Sequence, residues 1–268
     1  DGTVASDPSN EQFVHNEFGV NYKFGKLGLN ASAYNTDWQD RNLTKSVTTG
    51  QGDSGDTDVI FLTGVNQKHS GVELETNYMV NDMLDLMFVA SFGNWKFDGD
   101  ANGNYQETEY NSEGQAVGYT TTEYAYALDG LYVGDMPQTS YVLGVTLKPI
   151  KDLRIQAIHK MYDKNYSDWS PSAREFDGTN DDADRAQVWE APSYNRLDLH
   201  MSYKLPKVKD LDMMLTANIF NVLDEVYVQD AVDNSQYNGY GSKNHLPHNA
   251  EVFLGTPRYA NIGLSIGF

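Results

Sequence analysis

Apolar side chains recur at every second position in this chain over run after run, and the connections between runs alternate strictly between short and long. In EFGVNYKF (17–24), Phe18, Val20, Tyr22 and Phe24 stand against Gly19, Asn21 and Lys23. In RYANIGLSIGF (258–268), Ala260, Ile262, Leu264, Ile266 and Phe268 stand against Asn261, Gly263, Ser265 and Gly267. Between these ends lie runs of the same kind at 27–43, 70–80, 83–97, 140–148, 153–162, 193–205 and 211–220, which makes nine. A period of two with one apolar face predicts a strand in each.

The connections at 25–26, 81–82, 149–152 and 206–210 are short, and those at 44–69, 98–139, 163–192 and 221–257 are long. A soluble sandwich has no reason to sort its loops by parity. An up-and-down outer-membrane barrel does, with short turns on the periplasmic side and long loops outside. The prediction is therefore an all-β, transmembrane, antiparallel up-and-down β-barrel, with the apolar face toward lipid and the small polar face toward the lumen. Tyr22, Tyr78 and Tyr203 fall near strand ends on the short-turn side, where an aromatic girdle belongs.

Composition narrows the partners. A formal net charge of −19 excludes a nucleic-acid ligand, since no Lys/Arg patch is available for phosphates. With no cysteine, neither disulfides nor thiolate metal sites can form. No apolar run reaches the roughly 20 residues of a membrane-spanning helix, but a barrel strand needs only about 9–11 residues. Nine is an odd count where single-chain bacterial barrels have even ones, so the chain reads as the C-terminal part of a larger barrel. Two other classes compete with this reading: a hydrolase on a small outer-membrane barrel of about ten strands, with His200 and Asp198 as its thin catalytic case, and a soluble all-β carbohydrate-binding module.

The stretches HNEFGVNYKFGKLGLNASAYNTDWQDRNL, SGVELETNYMV, GLYVGDMPQTSYVLGVTLKP, APSYNRLDLHMSYKL, MLTANIFNVLDEVYV and LGTPRYANIGLSIGF resemble, in order, the last third of TonB-dependent outer-membrane receptors. The run 218–227, NIFNVLDEVY, and the terminal aromatic are the most specific of them. The resemblance implies a 22-stranded barrel of which residues 1–268 supply strands 14 to 22. It also implies a plug domain and a TonB box outside this chain, coupling to TonB through the plug, and a location among the lipids of a Gram-negative outer membrane. The implied activity is import of a scarce nutrient such as a siderophore, haem, a vitamin or a glycan, in some cases with a surface lipoprotein, and not catalysis. Phe268, with Ile262, Leu264 and Ile266, resembles the signal read by the outer-membrane assembly machinery.

Three features of the long connections carry possible chemistry. Asp98, Asp100, Asn102, Asn104, Gln106 and Glu109 fit the spacing of an EF-hand calcium loop, with Gly103 at its sharp turn, which makes Ca²⁺ the one cofactor suggested. The flanks are extended rather than helical, and an Asp/Asn/Gly turn matches the same pattern by composition. Loop 98–139 also carries many carboxylates, no Lys or Arg, and tyrosines including Tyr105 and Tyr110. With Trp169 and Trp189 in the next loop, these offer flat faces and hydroxyls for sugars or flat neutral ligands. Finally, His245 and His248 form a spaced pair of the kind that can ligate a transition metal or haem, if the backbone makes them converge.

Overall fold

A computed structural model describes residues 10–49, 56–176, 183–207, 209–235 and 244–268. All nine expected strands are present as β1 (Gln12–Phe24), β2 (Leu27–Thr49), β3 (Asp56–Asn81), β4 (Leu84–Phe97), β7 (Thr139–Leu147), β8 (Leu153–Asp163), β12 (Tyr194–Lys204), β13 (Asp212–Phe220) and β16 (Tyr259–Gly267). Each pairs antiparallel with its predecessor among the nine, so they form one continuous meander. This wall does not close: among the described residues β1 pairs only with β2, and β16 only with β13.

Register fixes the two faces. Phe18, Ala33, Val72 and Phe92 lie in one row, and Phe88, Leu143 and His159 in another. The large apolar residues of this side are exposed, among them Phe18 (74%), Ile262 (79%) and Leu143 (51%). A contiguous apolar surface of that extent suits lipid and not water. The opposite face carries Glu73, Gln156, His200, Asn218 and their neighbours, and is the concave inner side.

The long connections hold more structure than their polarity suggests. Residues 44–49 and 56–69, expected to be loop, continue β2 and β3 as paired strand. The connection after β4 contains a hairpin, β5 (Ala101–Tyr110) with β6 (Ala116–Tyr126). β5 takes over from β4 as the neighbour of β3, with Gln67 opposite Phe97 and Thr63 opposite Asn102. Four residues separate the partners on β3 but five on the β4–β5 side, which is the count of a β-bulge. The remaining elements are β9 (Asn165–Tyr166), α1 (Pro171–Arg174), β10 (Glu175–Phe176), β11 (Glu190–Ala191), β14 (Val228–Val232), η1 (Pro247–Asn249) and β15 (Glu251–Leu254). β10 adds to β6, β9 pairs with β11, and β14 pairs with β15.

A line of left-handed residues crosses the wall at one height: Asp40 (φ 57°) in β2, Gly64 (φ 68°) in β3 and Gly99 (φ 100°) after β4. The β2–β3 register shifts there as well, between Trp38 and Leu43. Below this seam the inner face is polar. Above it, Leu62, Ile60, Ala101 and Tyr126 turn inward and pack with Leu128, Leu131, Tyr166, Trp169 and Val188 into the largest apolar cluster described. The core of this chain is thus a roof at the long-connection end.

Candidate functional site

The inner face beneath the roof is layered by register. In its middle, Thr146, Gln156, His200, Asn218 and Asn261 occupy one row across five strands. Gln156 donates to the Thr146 hydroxyl (3.2 Å), His200 Nδ1 lies 2.8 Å from Asn218 Oδ1, and Asn218 Nδ2 donates to Asn261 Oδ1 (2.8 Å). One layer up, Lys160 donates to Asp198 at 2.9 Å, and Arg196 lies 3.7 Å from the same carboxylate. Above them Tyr162, Tyr194 and Tyr227 form a column, with Tyr194 stacked on Tyr227 at 4.3 Å and Arg196 donating to the Tyr227 hydroxyl. Next to this column Phe220 stacks on the half-exposed Tyr259 at 4.6 Å. Hydroxyls, amides and aromatic faces therefore line one concave surface, a mixture suited to a polar ligand with flat faces.

Asn221, inside the most specific sequence run, is a hub between wall and roof. It is fully buried at φ 50°. Its backbone N–H donates to Asp198 (2.9 Å), its side-chain amide donates to the carbonyls of Glu225 and Thr256, and its Oδ1 accepts from the Glu225 N–H. Asp198 is thereby engaged by Lys160 and Asn221 and makes no hydrogen bond to His200, so the pair offered for a hydrolase is not assembled.

In the roof, a buried ionic cluster joins two long connections. Arg174, fully buried at the end of α1, donates to the carbonyls of Asp184 and Ala186 and to Asp233 Oδ2 (3.3 Å). His245 sits between two carboxylates, with Nδ1 2.5 Å from Asp233 Oδ2 and Nε2 2.9 Å from Asp184 Oδ2. The hydrogen bond to Asp233 raises the His245 pKa against the opposing effect of burial, and the bond from His245 helps hold Asp184 low although its burial acts the other way.

The residues singled out in the sequence fare unevenly. Residues 101–110 form paired strand, so Asn102 and Glu109 lie about 23 Å apart at some 3.3 Å per residue. A calcium ion needs its ligands within about 2.6 Å of itself, and an extended strand does not gather them. Asp98 instead pairs with Lys68 (2.7 Å), and Asp100 takes both Arg185 nitrogens and the N–H groups of Leu128 and Asp129. The pattern DGDANG is the bulge at the seam. The side chains of Asn104, Tyr105 and Gln106 lie outside the described residues.

Tyr110 is exposed at the hairpin end, and Trp189 is half-buried. Trp169 is a correction: it is 2% exposed, edge-on to Phe97 and against Tyr126, and so belongs to the roof core instead of a ligand surface. His245 and His248 do not converge either, since His248 lies against Asn244 (3.3 Å) on the outside while His245 points into the ionic cluster. The inner-face residues Tyr194, Tyr227, Tyr259, His200 and Asn261 were not singled out as ligand contacts. For all but Tyr227, which lies in the connection after β13, the signal was available, because strand parity already assigns the polar positions of β12 and β16 to the lumen.

The described cations of the roof and of the inner-face layer beneath it are largely engaged. Lys45 pairs with Asp168, Lys68 with Asp98, Arg185 with Asp100, Arg174 with Asp233, and Lys160 and Arg196 share Asp198. Arg41 lies 3.7 Å over Trp38, and Lys96 4.6 Å over Tyr132.

A family model described as TonB dependent receptor-like, beta-barrel, matches residues 11–222. Among solved structures, the chain is similar to the copper transporter OprC (TM-score 0.57, 16% identity), over 96% of this chain and 31% of that one. It is also similar to the closed form of the ferric-catecholate import receptor Fiu from E. coli K12 (TM-score 0.50, 13% identity), over 96% and 28%. At such identities the likeness concerns the fold alone, and this chain spans only about a third of the length of either protein. No curated protein matches the sequence.

Proposed function

Since the chain belongs to the TonB-dependent receptors, as part of their β-barrel, we propose that it forms one side of an outer-membrane channel that imports an uncharged, hydroxyl-bearing nutrient of the glycan type. The family is one of Gram-negative outer-membrane receptors and not of enzymes. In this reading the open edges of the wall are completed by the rest of the barrel, a plug fills the lumen, and TonB acts through the plug.

The inner face carries the substrate class. Its stacked tyrosines and its amide and imidazole row offer flat contacts and neutral hydrogen bonds. An anionic ferric chelate, by contrast, requires unpaired cations, and most of the described cations of the roof are occupied by carboxylates or aromatic rings within a chain of net charge −19.

The test is calorimetric titration of the whole receptor in detergent micelles with neutral oligosaccharides and, separately, with a ferric catecholate. Saturable oligosaccharide binding that weakens on the order of tenfold in Tyr259→Ala is expected, in keeping with the loss of about 1 kcal/mol or more of aromatic contact. Tight binding of the ferric chelate with no response to any oligosaccharide would overturn the substrate class.

A further inference from the structure

The ionic cluster of the roof has a property that packing alone does not require. Each ring nitrogen of His245 faces a carboxylate oxygen, at 2.5 Å and 2.9 Å. A neutral imidazole has one N–H, so one of these contacts would set a nitrogen lone pair against a carboxylate lone pair. Both are satisfied together only in the imidazolium form.

The neighbours of His245 also show what loss of the proton does. Arg174 Nη2 and Asn234 Nδ2 lie 3.2 Å and 3.1 Å from Nδ1, ready to donate to it once it becomes an acceptor. Asp233, fully buried, then keeps Arg174 but loses its closest partner. The charged groups facing His245 come from every segment packed there: Arg174 at the end of α1, Asp184 between β10 and β11, and Asp233 directly after β14.

We propose that this cluster is a proton-operated latch, in which doubly protonated His245 holds Asp233 and Asp184 at once and so stiffens the junction between the connection before β12 and the connection before β16, while its deprotonation leaves the Arg174–Asp233 pair in place and loosens that junction. The placement of the latch over a lumen rests on the barrel reading above. The structure of the cluster does not.

A second contact on β14 acts in the same sense. Asp135, on the segment between β6 and β7, is hydrogen-bonded to Asp230 of β14 beside Asp168, and burial followed by those two charges pushes its carboxyl up to about 6. A carboxyl raised in this way disfavours folding as pH climbs from its ordinary value near 3.8 through about 6. His245 is raised above its ordinary 6.5, so its contribution is complete below that value and is lost as pH rises through the higher, folded one. Asp184 and Asp100 are held low and titrate below this range, so they do not offset either change. The strand β14 is therefore gripped on two sides by groups that hold best when protonated, and the roof tightens in acid and loosens in alkali.

Hydrogen exchange of the whole receptor in micelles, compared at about pH 5.5 and about pH 8.5 after correction for intrinsic exchange rates, tests this without any ligand. Failure of the latch is thus distinguishable from failure of the substrate proposal. Peptides covering 183–190, 228–235 and 244–254 should exchange on the order of tenfold faster at the higher pH. Peptides of β7 and β8 should not change. In His245→Gln the roof peptides should exchange fast at both pH values. Equal protection of the wild-type roof at both values, or His245→Gln retaining the wild-type pH dependence, would overturn the latch.

Discussion

Replacing Asn221 by alanine should detach the connection after β13 from the wall while leaving the wall itself intact. Its side chain makes three hydrogen bonds, to the carbonyls of Glu225 and Thr256 and from the Glu225 N–H, at 2.9, 3.2 and 3.0 Å. At about 1 kcal/mol net for each, their loss costs about 3 kcal/mol. The backbone stands at φ 50°, where asparagine is tolerated and alanine costs about 1 kcal/mol more. The sum, about 4 kcal/mol, corresponds to nearly three decades in local opening at 1.4 kcal/mol per decade. The readout is the exchange rate of the Glu225 amide in the intact receptor, with the amides of β7 as an internal standard. Asn221→Gly separates the two contributions, because glycine accepts the left-handed backbone and should fall short of the alanine effect by about 1 kcal/mol. If Glu225 exchanges within about threefold of wild type in Asn221→Ala, or if glycine proves worse than alanine, the hub assignment is wrong.

Other expectations concern the wall, the roof core and the seam. Asp198→Leu leaves Lys160 and Arg196 facing an apolar group at a buried position, and should lower receptor stability by about 3–5 kcal/mol, read as loss of the heat-modifiable folded band on gels. Asp198→Asn, which keeps an acceptor for the Asn221 N–H, should cost less. Trp169→Ala should cost about 3–5 kcal/mol and speed exchange over 127–133, whereas Trp169→Phe should leave ligand affinity unchanged. A large affinity loss in the phenylalanine variant would return Trp169 to the ligand surface. Asp100→Ala should free Arg185 from the 98–100 turn, with 183–187 still held by Arg174 and His245, and leave a calorimetric Ca²⁺ titration of the receptor unaltered. A calcium isotherm abolished by that substitution would restore the ion-binding reading.

The nine wall strands were legible because lipid on one side and the lumen on the other impose a strict alternation, and because short turns leave no ambiguity about where a strand ends. Above the seam neither constraint applies. Residues 44–49 read TKSVTT and looked like loop, since a strand outside the membrane needs no apolar stripe, although their β-branched content suits a strand. The hairpin of β5 and β6 was obscured in the same way by a motif match, DGDANG, whose Asp/Asn/Gly content reflects a bulge with Gly99 at φ 100°. Arg174, Asp184, Asp233 and His245 come together from positions up to 71 residues apart. No local pattern marks such a cluster, because the topology alone brings its members together.

The seam at Asp40, Gly64 and Gly99 also bears on how such a protein can be altered. In a strand, whether a residue faces in or out is set by counting in twos from any neighbour of known facing, and at the seam that count begins again. The two parts are therefore spliced, not continuous, and each carries its own frame. A chimaera cut at the seam would transplant the whole upper structure with its facing intact, onto a foreign barrel whose lipid surface is left untouched. A cut placed a single residue out of frame would turn Ile60 and Leu62 outward and scatter the apolar cluster into water. Insertions and exchanges above the three left-handed residues thus keep the facing of the wall below, and the long-connection end can change without re-solving the problem of spanning a bilayer.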